Sequence, residues 1–235
     1  MRGLILSTTC LLVFLSHSCH ILAQPPPPSV LPPAQDPFYS APPQLEKHAP
    51  GEILRIRTAP AIVTSSFPNC SAAYHIVYRT TDAQFRPSWA VTTLLLPPSY
   101  NRSSASPRPL LSYQLAYNSP DIDASPSYDF SALTAPGGAV AVALGRGWIV
   151  SAPDFEGPTA SFGAGIQGGH ATIDNVRAVL SLLSSKPGSG PKPKIGPITK
   201  YATYGYSGGC VATEFAAELP VQYAPEMSRL YARPC

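Results

Sequence analysis

Ile198-Thr199-Lys200-Tyr201-Ala202-Thr203-Tyr204-Gly205-Tyr206-Ser207-Gly208-Gly209-Cys210 is followed by VATEFAAEL (211–219) and then Pro220. Residues 198–204 are rich in β-branched and aromatic types and predict a strand. Residues 210–219 are small and helix-forming, and Pro220 stops them. Between the two lies Gly205-Tyr206-Ser207-Gly208-Gly209, a G-x-S-x-G spacing in a strand–turn–helix context. That context lifts a serine hydroxyl above the sheet beside a helix N-terminus, whose partial positive charge favours a developing oxyanion. Gly205 and Gly209 sit where a Cβ would strike the adjoining strand and helix, Tyr206 completes the elbow, and the Gly208 N–H points toward the same space as the Ser207 hydroxyl.

Working back toward the N-terminus, residues 170–184 carry Ile173, Val176, Leu180 and Leu183 on one helical stripe, with Asp174, Arg177 and Ser181 off it. Residues 187–197 form a Pro/Gly loop. Residues 147–152 and 110–116 predict strands, and 139–144 a short helix ending at Gly145. Residues 74–80 and 89–96 predict an antiparallel pair around a turn at 82–88. The later order, strand, helix, strand, helix, strand, helix, predicts an α/β fold with a mostly parallel sheet covered on both faces. The loop after the 110–116 strand begins at Tyr117 and Asn118, which makes Asn118 a candidate second oxyanion donor, or else a turn residue before Ser119-Pro120.

At the N-terminus, Met1 and Arg2 precede an apolar run over residues 4–15, and Ala23 offers a small residue for cleavage, so residues 1–23 read as a secretory signal peptide. The apolar run is too short for a transmembrane anchor. Residues 24–50, with Pro25 to Pro28 at their head, predict an extended, stiff lead segment, because proline removes N–H donors and fixes φ. Residues 51–235 remain for one domain. Asn69-Cys70-Ser71 and Asn101-Arg102-Ser103 are glycosylation sequons, which place Asn69 and Asn101 at the surface of an exported protein.

Of five cysteines, Cys10 and Cys19 fall in the signal, leaving Cys70, Cys210 and Cys235. An odd number means either that one thiol is free and buried, with Cys210 beside the elbow the candidate, or that the sequence as given lacks a partner cysteine. The 29 prolines and 17 glycines stay below the share that marks low complexity, and a hydrophobic content of 44% supports a core. A formal charge of +3, with no basic cluster, gives nucleic acid nothing to bind to. The isolated histidines and the absence of a C-x-x-C spacing point to no metal, and the elbow chemistry needs no cofactor.

Several stretches together resemble the fungal and bacterial secretory lipases of the α/β-hydrolase superfamily: Asp36-Pro37-Phe38-Tyr39, Tyr78-Arg79-Thr80-Thr81-Asp82, Ser112-Tyr113-Gln114, Pro153-Asp154-Phe155-Glu156-Gly157-Pro158, the elbow itself, and Tyr223-Ala224-Pro225-Glu226. The resemblance implies an extracellular enzyme that hydrolyses carboxylic esters of lipids, triacylglycerol-type substrates included, at an oil–water interface or in solution. It implies Ser207 as nucleophile and Gly208 in the oxyanion hole. Where the family carries an Asp contributing to that hole, this chain has Asn118, whose amide can still donate. His170 falls where relatives often have an aromatic residue, and reads as a helix N-terminal residue, not as a triad base.

In this fold the triad order is Ser, then Asp or Glu, then His. After Ser207 the sequence holds no Asp and no His, only Glu214, Glu218 and Glu226. The triad Asp and His are therefore not assigned to any residue, and the α/β-hydrolase fold reads as incomplete, with later strands and a cap missing. Two readings follow: a secreted lipase or esterase of which this chain is a truncated form, inactive by itself, or a secreted non-catalytic module on the same scaffold. A serine peptidase would share the elbow but not the other stretches.

Overall fold

The computed structural model describes residues 30–98, 108–131, 138–184, 193 and 198–232. The proposed signal peptide, Pro25 to Pro28, Asn101, Cys235 and nearly all of the 187–197 loop lie outside them. Six strands form one mixed sheet in the order β1-β2-β3-β5-β4-β6: β1 (Ile53–Thr58), β2 (Ala72–Thr81), β3 (Pro87–Leu96), β4 (Arg108–Gln114), β5 (Ile149–Pro153) and β6 (Ile198–Gly205). β2 and β3 are the expected antiparallel pair, aligned Tyr78 to Ala90 and Ile76 to Thr92. β3 also runs antiparallel to β5, whereas β4 is parallel to both β5 and β6. The parallel character of the sheet thus resides in β4, β5 and β6, the strands that carry the site.

Helices cover the sheet: α1 (Ala61–Ser66), α2 (Pro126–Asp129), α3 (Gly138–Gly145), α4 (Gly165–Ser184), α5 (Gly208–Glu218) and α6 (Pro220–Tyr223). One core lies under α1 and α3, where Val63, Phe67, Leu95, Val140, Leu144 and Val150 are buried together. A second lies under α4, where Ile76, Leu94, Leu110, Ile149, Ile173 and Val176 meet. Burying side chains of this size stabilises by roughly 1.5–3 kcal/mol each. Together they fix the sheet between two helical layers.

α4 starts five residues before the stripe predicts and is buried almost all round over residues 167–179. Asp174, expected off the apolar stripe, is fully buried. It is tolerated there because Thr80 Oγ1 (2.8 Å), Tyr223 Oη (2.6 Å) and Arg177 Nη1 (2.8 Å) all donate to its carboxylate. Asn175, also fully buried, donates to Ser112 Oγ (2.9 Å) and Ser151 Oγ (2.8 Å), tying α4 to β4 and β5. Pro220 does not only stop α5; it occupies the first position of α6.

The lead segment differs from a stiff, extended strap. Residues 37–39 and 45–47 form 3-10 turns, and the chain folds back onto the sheet. Asp36 pairs with Arg57 (2.7 Å), whose guanidinium lies 4.0 Å from the centre of the Phe38 ring. Arg55 donates to the carbonyls of Pro37 (3.0 Å), Phe38 (2.9 Å) and Ser40 (2.6 Å). Proline at the first position of a turn keeps its missing N–H harmless, and β1, absent from the sequence reading, supplies the arginines that anchor the loose carbonyls.

Candidate active site

Three of the loops that follow the parallel strands converge. Asn118 lies just beyond β4, Glu156 just beyond β5 and Ser207 just beyond β6, so the site forms outside the carboxyl ends of adjacent strands, where ligands bind in open α/β sheets. Ser207 has φ 54° and ψ −123°, a conformation strained for a side chain with a Cβ. Its neighbours make that turn sterically allowed. A Cβ on Gly205 would run into the Gly209 carbonyl, and one on Gly209 into the Gln114 carbonyl of β4. A Cβ on Gly208 would occupy the position of Asn118 Oδ1, so the Asn118 side chain lies directly over Gly208.

Gln114, its amide oriented by its hydrogen-bonding network, donates from Nε2 to Tyr204 O (3.1 Å) and Thr213 Oγ1 (2.9 Å). It thereby fixes the β4–β6–α5 junction under the elbow. In the first turn of α5 the amides of Gly209 and Cys210 bond back to Tyr206 O (3.0 Å) and Ser207 O (2.9 Å). The Gly208 amide has no backbone acceptor among the described residues. Ser207 is exposed, and Tyr206 beside it is 74% exposed.

Ser207 opens onto a pocket of about 240 Å³ whose walls include Phe155, Phe162 and Val211, with Asn118, Gly208 and Glu156 among its polar lining. Glu156 is 3% exposed, and burial pushes its carboxyl up to about 7. Its Oε2 has no hydrogen-bond partner. Sequence reading quoted Glu156 only as part of the 153–158 stretch. The signal that could have found it is its position, an acid three residues past the end of a parallel strand.

The described histidines stand elsewhere. His170 is not at a helix N-terminus but six residues into α4, fully buried between the rings of Phe85 (5.4 Å) and Tyr223 (4.0 Å), and burial lowers its pKa. His75 is buried on β2 and held neutral, its pKa pushed down to about 3 by burial and then by Arg57. His48 bonds to Glu52 (2.8 Å). None of them lines the pocket with Ser207.

Cys210 is exposed and free, a correction to the buried thiol expected there, because it lies on the outer side of the first turn of α5; Cys70 is half-buried and also free. Asn69 sits exposed in the turn after α1 with φ 61°. Among the described residues no group of three or more His, Cys, Asp or Glu gathers as a metal site would require, and no helix is long and apolar enough to cross a membrane.

A mixed sheet with flanking helices and a serine on a strained strand-to-helix turn defines the class as α/β-hydrolase. Its structure is similar to that of Candida antarctica lipase A in its closed state, with a TM-score of 0.68 and 30% identity over 84% of this chain and 45% of that one. The rice cell wall degrading esterase LipA from Xanthomonas oryzae shares the fold, with a TM-score of 0.53 at 20% identity. Residues 133–232 match the family model of the secretory lipases. The chain is 50% identical over 202 residues to trichothecene C-3 esterase of Fusarium sporotrichioides, covering 84% of this chain and 44% of that protein. It is 36% identical over 222 residues to lipase A of Arthroderma benhamiae, covering 88% and 44%. Over residues 133–232 the chain matches the secretory lipase family, and it spans less than half the length of these relatives.

Proposed function

We propose that the chain carries the nucleophile half of a secreted serine esterase or lipase that cleaves carboxylic esters through an acyl intermediate on Ser207. The observation that supports it is the elbow itself: a strained Ser207 set above a pocket with apolar walls, with Gly208 N–H and Asn118 converging beside it. In this reading the ester carbonyl carbon takes the Ser207 oxygen. The carbonyl oxygen, as it becomes an oxyanion, lies against the Gly208 amide, Asn118 and the positive end of α5. The substrate's apolar part enters between Phe155, Phe162 and Val211. Curated relatives named as trichothecene esterases and lipases support ester substrates, lipid esters among them.

The serine proton needs an acceptor, and among the described residues no imidazole lines the pocket with Ser207. The chain alone therefore turns over esters very slowly. A second reading, a non-catalytic module that binds an ester or its product, would use the same pocket.

The experiment is labelling with a fluorophosphonate probe. Under the acyl-serine reading the probe modifies Ser207 slowly in this chain, and Ser207→Ala abolishes labelling with no change in melting temperature beyond a few degrees. Labelling that persists in Ser207→Ala removes the assignment. A chain that does not label but binds a short-chain ester supports the module instead.

A further inference from the structure

Tyr39 is the point at which the lead segment enters the interior. Its ring is buried with Val77 of β2 and Val91 of β3. Trp89 Nε1 donates to the Tyr39 carbonyl (3.0 Å), and the Tyr39 N–H donates to Asp36 O (3.0 Å). With Asp36 paired to Arg57 and the flanking carbonyls of Phe38 and Ser40 held by Arg55, the phenol is delivered to a fixed place. There Tyr39 Oη meets Ser127 Oγ of α2 at 2.8 Å, across 88 residues of sequence.

Ser127 passes that contact on to Asp154, the residue that follows β5. Ser127 Oγ donates to Asp154 Oδ2 (2.6 Å), and the Ser127 N–H donates to Asp154 Oδ1 (2.9 Å). A hydroxyl has one proton; with that of Ser127 directed at Asp154, Tyr39 is the donor to Ser127 Oγ, and the three groups form a chain with one direction. All three residues are buried, where linked hydrogen bonds reinforce one another. The backbone of Asp154 is held as well: its N–H donates to Val91 O (2.8 Å), and its carbonyl accepts from the Gly157 N–H (3.0 Å). Phe155 and Glu156, between Asp154 and Gly157, line the pocket with Ser207. On the far side Gln167 Nε2 of α4 donates to the Glu156 carbonyl (2.6 Å), and the Glu156 N–H donates to Tyr117 Oη (2.7 Å).

We propose that Tyr39 is a positioning residue for the pocket: acting through Ser127 and Asp154, it sets the Phe155–Glu156 wall against which an ester lies. None of the lead segment's described residues lines the pocket, yet the segment is part of its support. Val91 fixes where Asp154 leaves the sheet, and Ser127 fixes which way its side chain turns; the second depends on Tyr39. Misplacing a group by about 1 Å near a reacting centre costs on the order of 100-fold in rate. The charged and titratable neighbours of the chain are Asp36, Arg57 and the neutral His75 on the Tyr39 side, and the phenols of Tyr78 and Tyr117, the latter shared with Glu156, on the Asp154 side. Burial raises Asp154 to about 7, and the two bonds from Ser127 pull the other way. Without the Tyr39 hydroxyl Ser127 is a poorer donor, that pull weakens, and the carboxyl keeps its proton to higher pH.

The effect on Ser207 rests on the acyl-serine reading, but the wall can be followed apart from it. Four versions of the whole chain are compared: wild type, Tyr39→Phe, which keeps the ring and removes only Oη, Ser127→Ala, and the double variant. In amide NMR the Ser127 resonance reports the Asp154 carboxyl bonded to it; its inflection lies at about pH 7 in wild type and moves up by roughly half a unit or more in Tyr39→Phe. Hydrogen exchange at Gly157, whose N–H bonds to Asp154 O, quickens about tenfold in Tyr39→Phe relative to amides of β4. Fluorophosphonate labelling of Ser207 slows about threefold to tenfold in Tyr39→Phe and at least as much in Ser127→Ala; combining the two slows it no further, because the chain is already broken. Any one of three results overturns the proposal: effects that add in the double variant, a Ser127 inflection that stays in place in Tyr39→Phe, or labelling that Tyr39→Phe leaves unchanged. If Ser207 labels in none of the four, the acyl-serine reading fails, and the Ser127 inflection and Gly157 exchange still decide whether Tyr39 sets the wall.

Discussion

Two polar regions on opposite sides of α4 treat their buried carboxyls differently. In the seam that joins α4 to α6 and β2, Asp174 accepts from Thr80, Tyr223 and Arg177, and Arg177 continues to Tyr223 O (3.0 Å) and Glu226. In the pocket beyond β5, Glu156 has one carboxylate oxygen with no partner, and Ser207 sits in a strained turn. The first region closes its hydrogen bonds and links elements far apart in sequence. The second leaves polar atoms open and backbone under strain. Saturated bonding serves stability, and open valence beside strain serves a ligand.

The sharpest break in this comparison lies in the seam. Replacing Asp174 by Ala leaves Arg177 without one partner and strands the Thr80 hydroxyl in a buried site, while the Tyr223 hydroxyl keeps only Thr81 Oγ1 (2.8 Å). Removing one member of a buried pair costs about 3–5 kcal/mol. For a domain stable by about 5–15 kcal/mol this is a large share, and chemical denaturation should show it as a lower midpoint with an unchanged slope. A loss under about 1 kcal/mol would mean that the seam is no more a stabilising device than the pocket is.

Much of this architecture was legible. Strands β2 to β6 and the elbow follow from β-branched runs and the glycine spacing; the elbow points to Ser207 and Gly208, the loop after β4 to Asn118 as a donor or a turn residue, and the fold brings the three together. What was not legible has specific causes. The start of α4 was hidden because Gly165, Gly168 and Gly169 are poor helix formers. They are there for packing: a Cβ on Gly169 would approach Leu219 Cδ1 and Phe215 Cβ to 2.7 Å, so glycine lets α4 and α5 touch. β1 was missed because Arg55 and Arg57 interrupt its apolar residues, and both arginines turn out to hold the lead segment. The burial of Asp174 depends on Thr80 and Tyr223, 94 and 49 residues away along the chain, and no local pattern announces such partners.

The pocket side breaks through its backbone. Gly209→Ala introduces a methyl group against the Gln114 carbonyl of β4, a rigid neighbour that cannot rotate away. Overpacking of this kind costs about 1–3 kcal/mol. It should also push the elbow off β4, so that loss of Ser207 labelling exceeds what the lower stability accounts for. Thermal unfolding and labelling rates measured on one preparation separate the two effects. A variant as stable and as reactive as wild type would show that the elbow is looser than its contacts imply.

The smallest effect sharpens the comparison by pH. Burial raises Asp154 and Glu156 to about 7 each, and burial also raises Asp174. A carboxyl whose folded pKa lies above its unfolded value near 4 binds its proton more tightly in the folded state. Its contribution is therefore complete below about pH 4 and is lost as pH rises through about 7. Glu52 and Asp82, held below their ordinary values by His48 and Arg86 among others, work in the opposite sense and lose stability only in acid, below about pH 4. Between pH 5 and pH 8 the raised group dominates, and the melting temperature should fall. Glu156 faces a pocket open to solvent, which weakens its share to on the order of 1–2 kcal/mol. Glu156→Gln should remove that share and flatten the slope, while Asp154, bonded to Ser127 Oγ (2.6 Å) and Ser127 N (2.9 Å), sustains the rest. A slope unchanged by Glu156→Gln would place the titrating carboxyl with Asp154 and Asp174, away from the pocket.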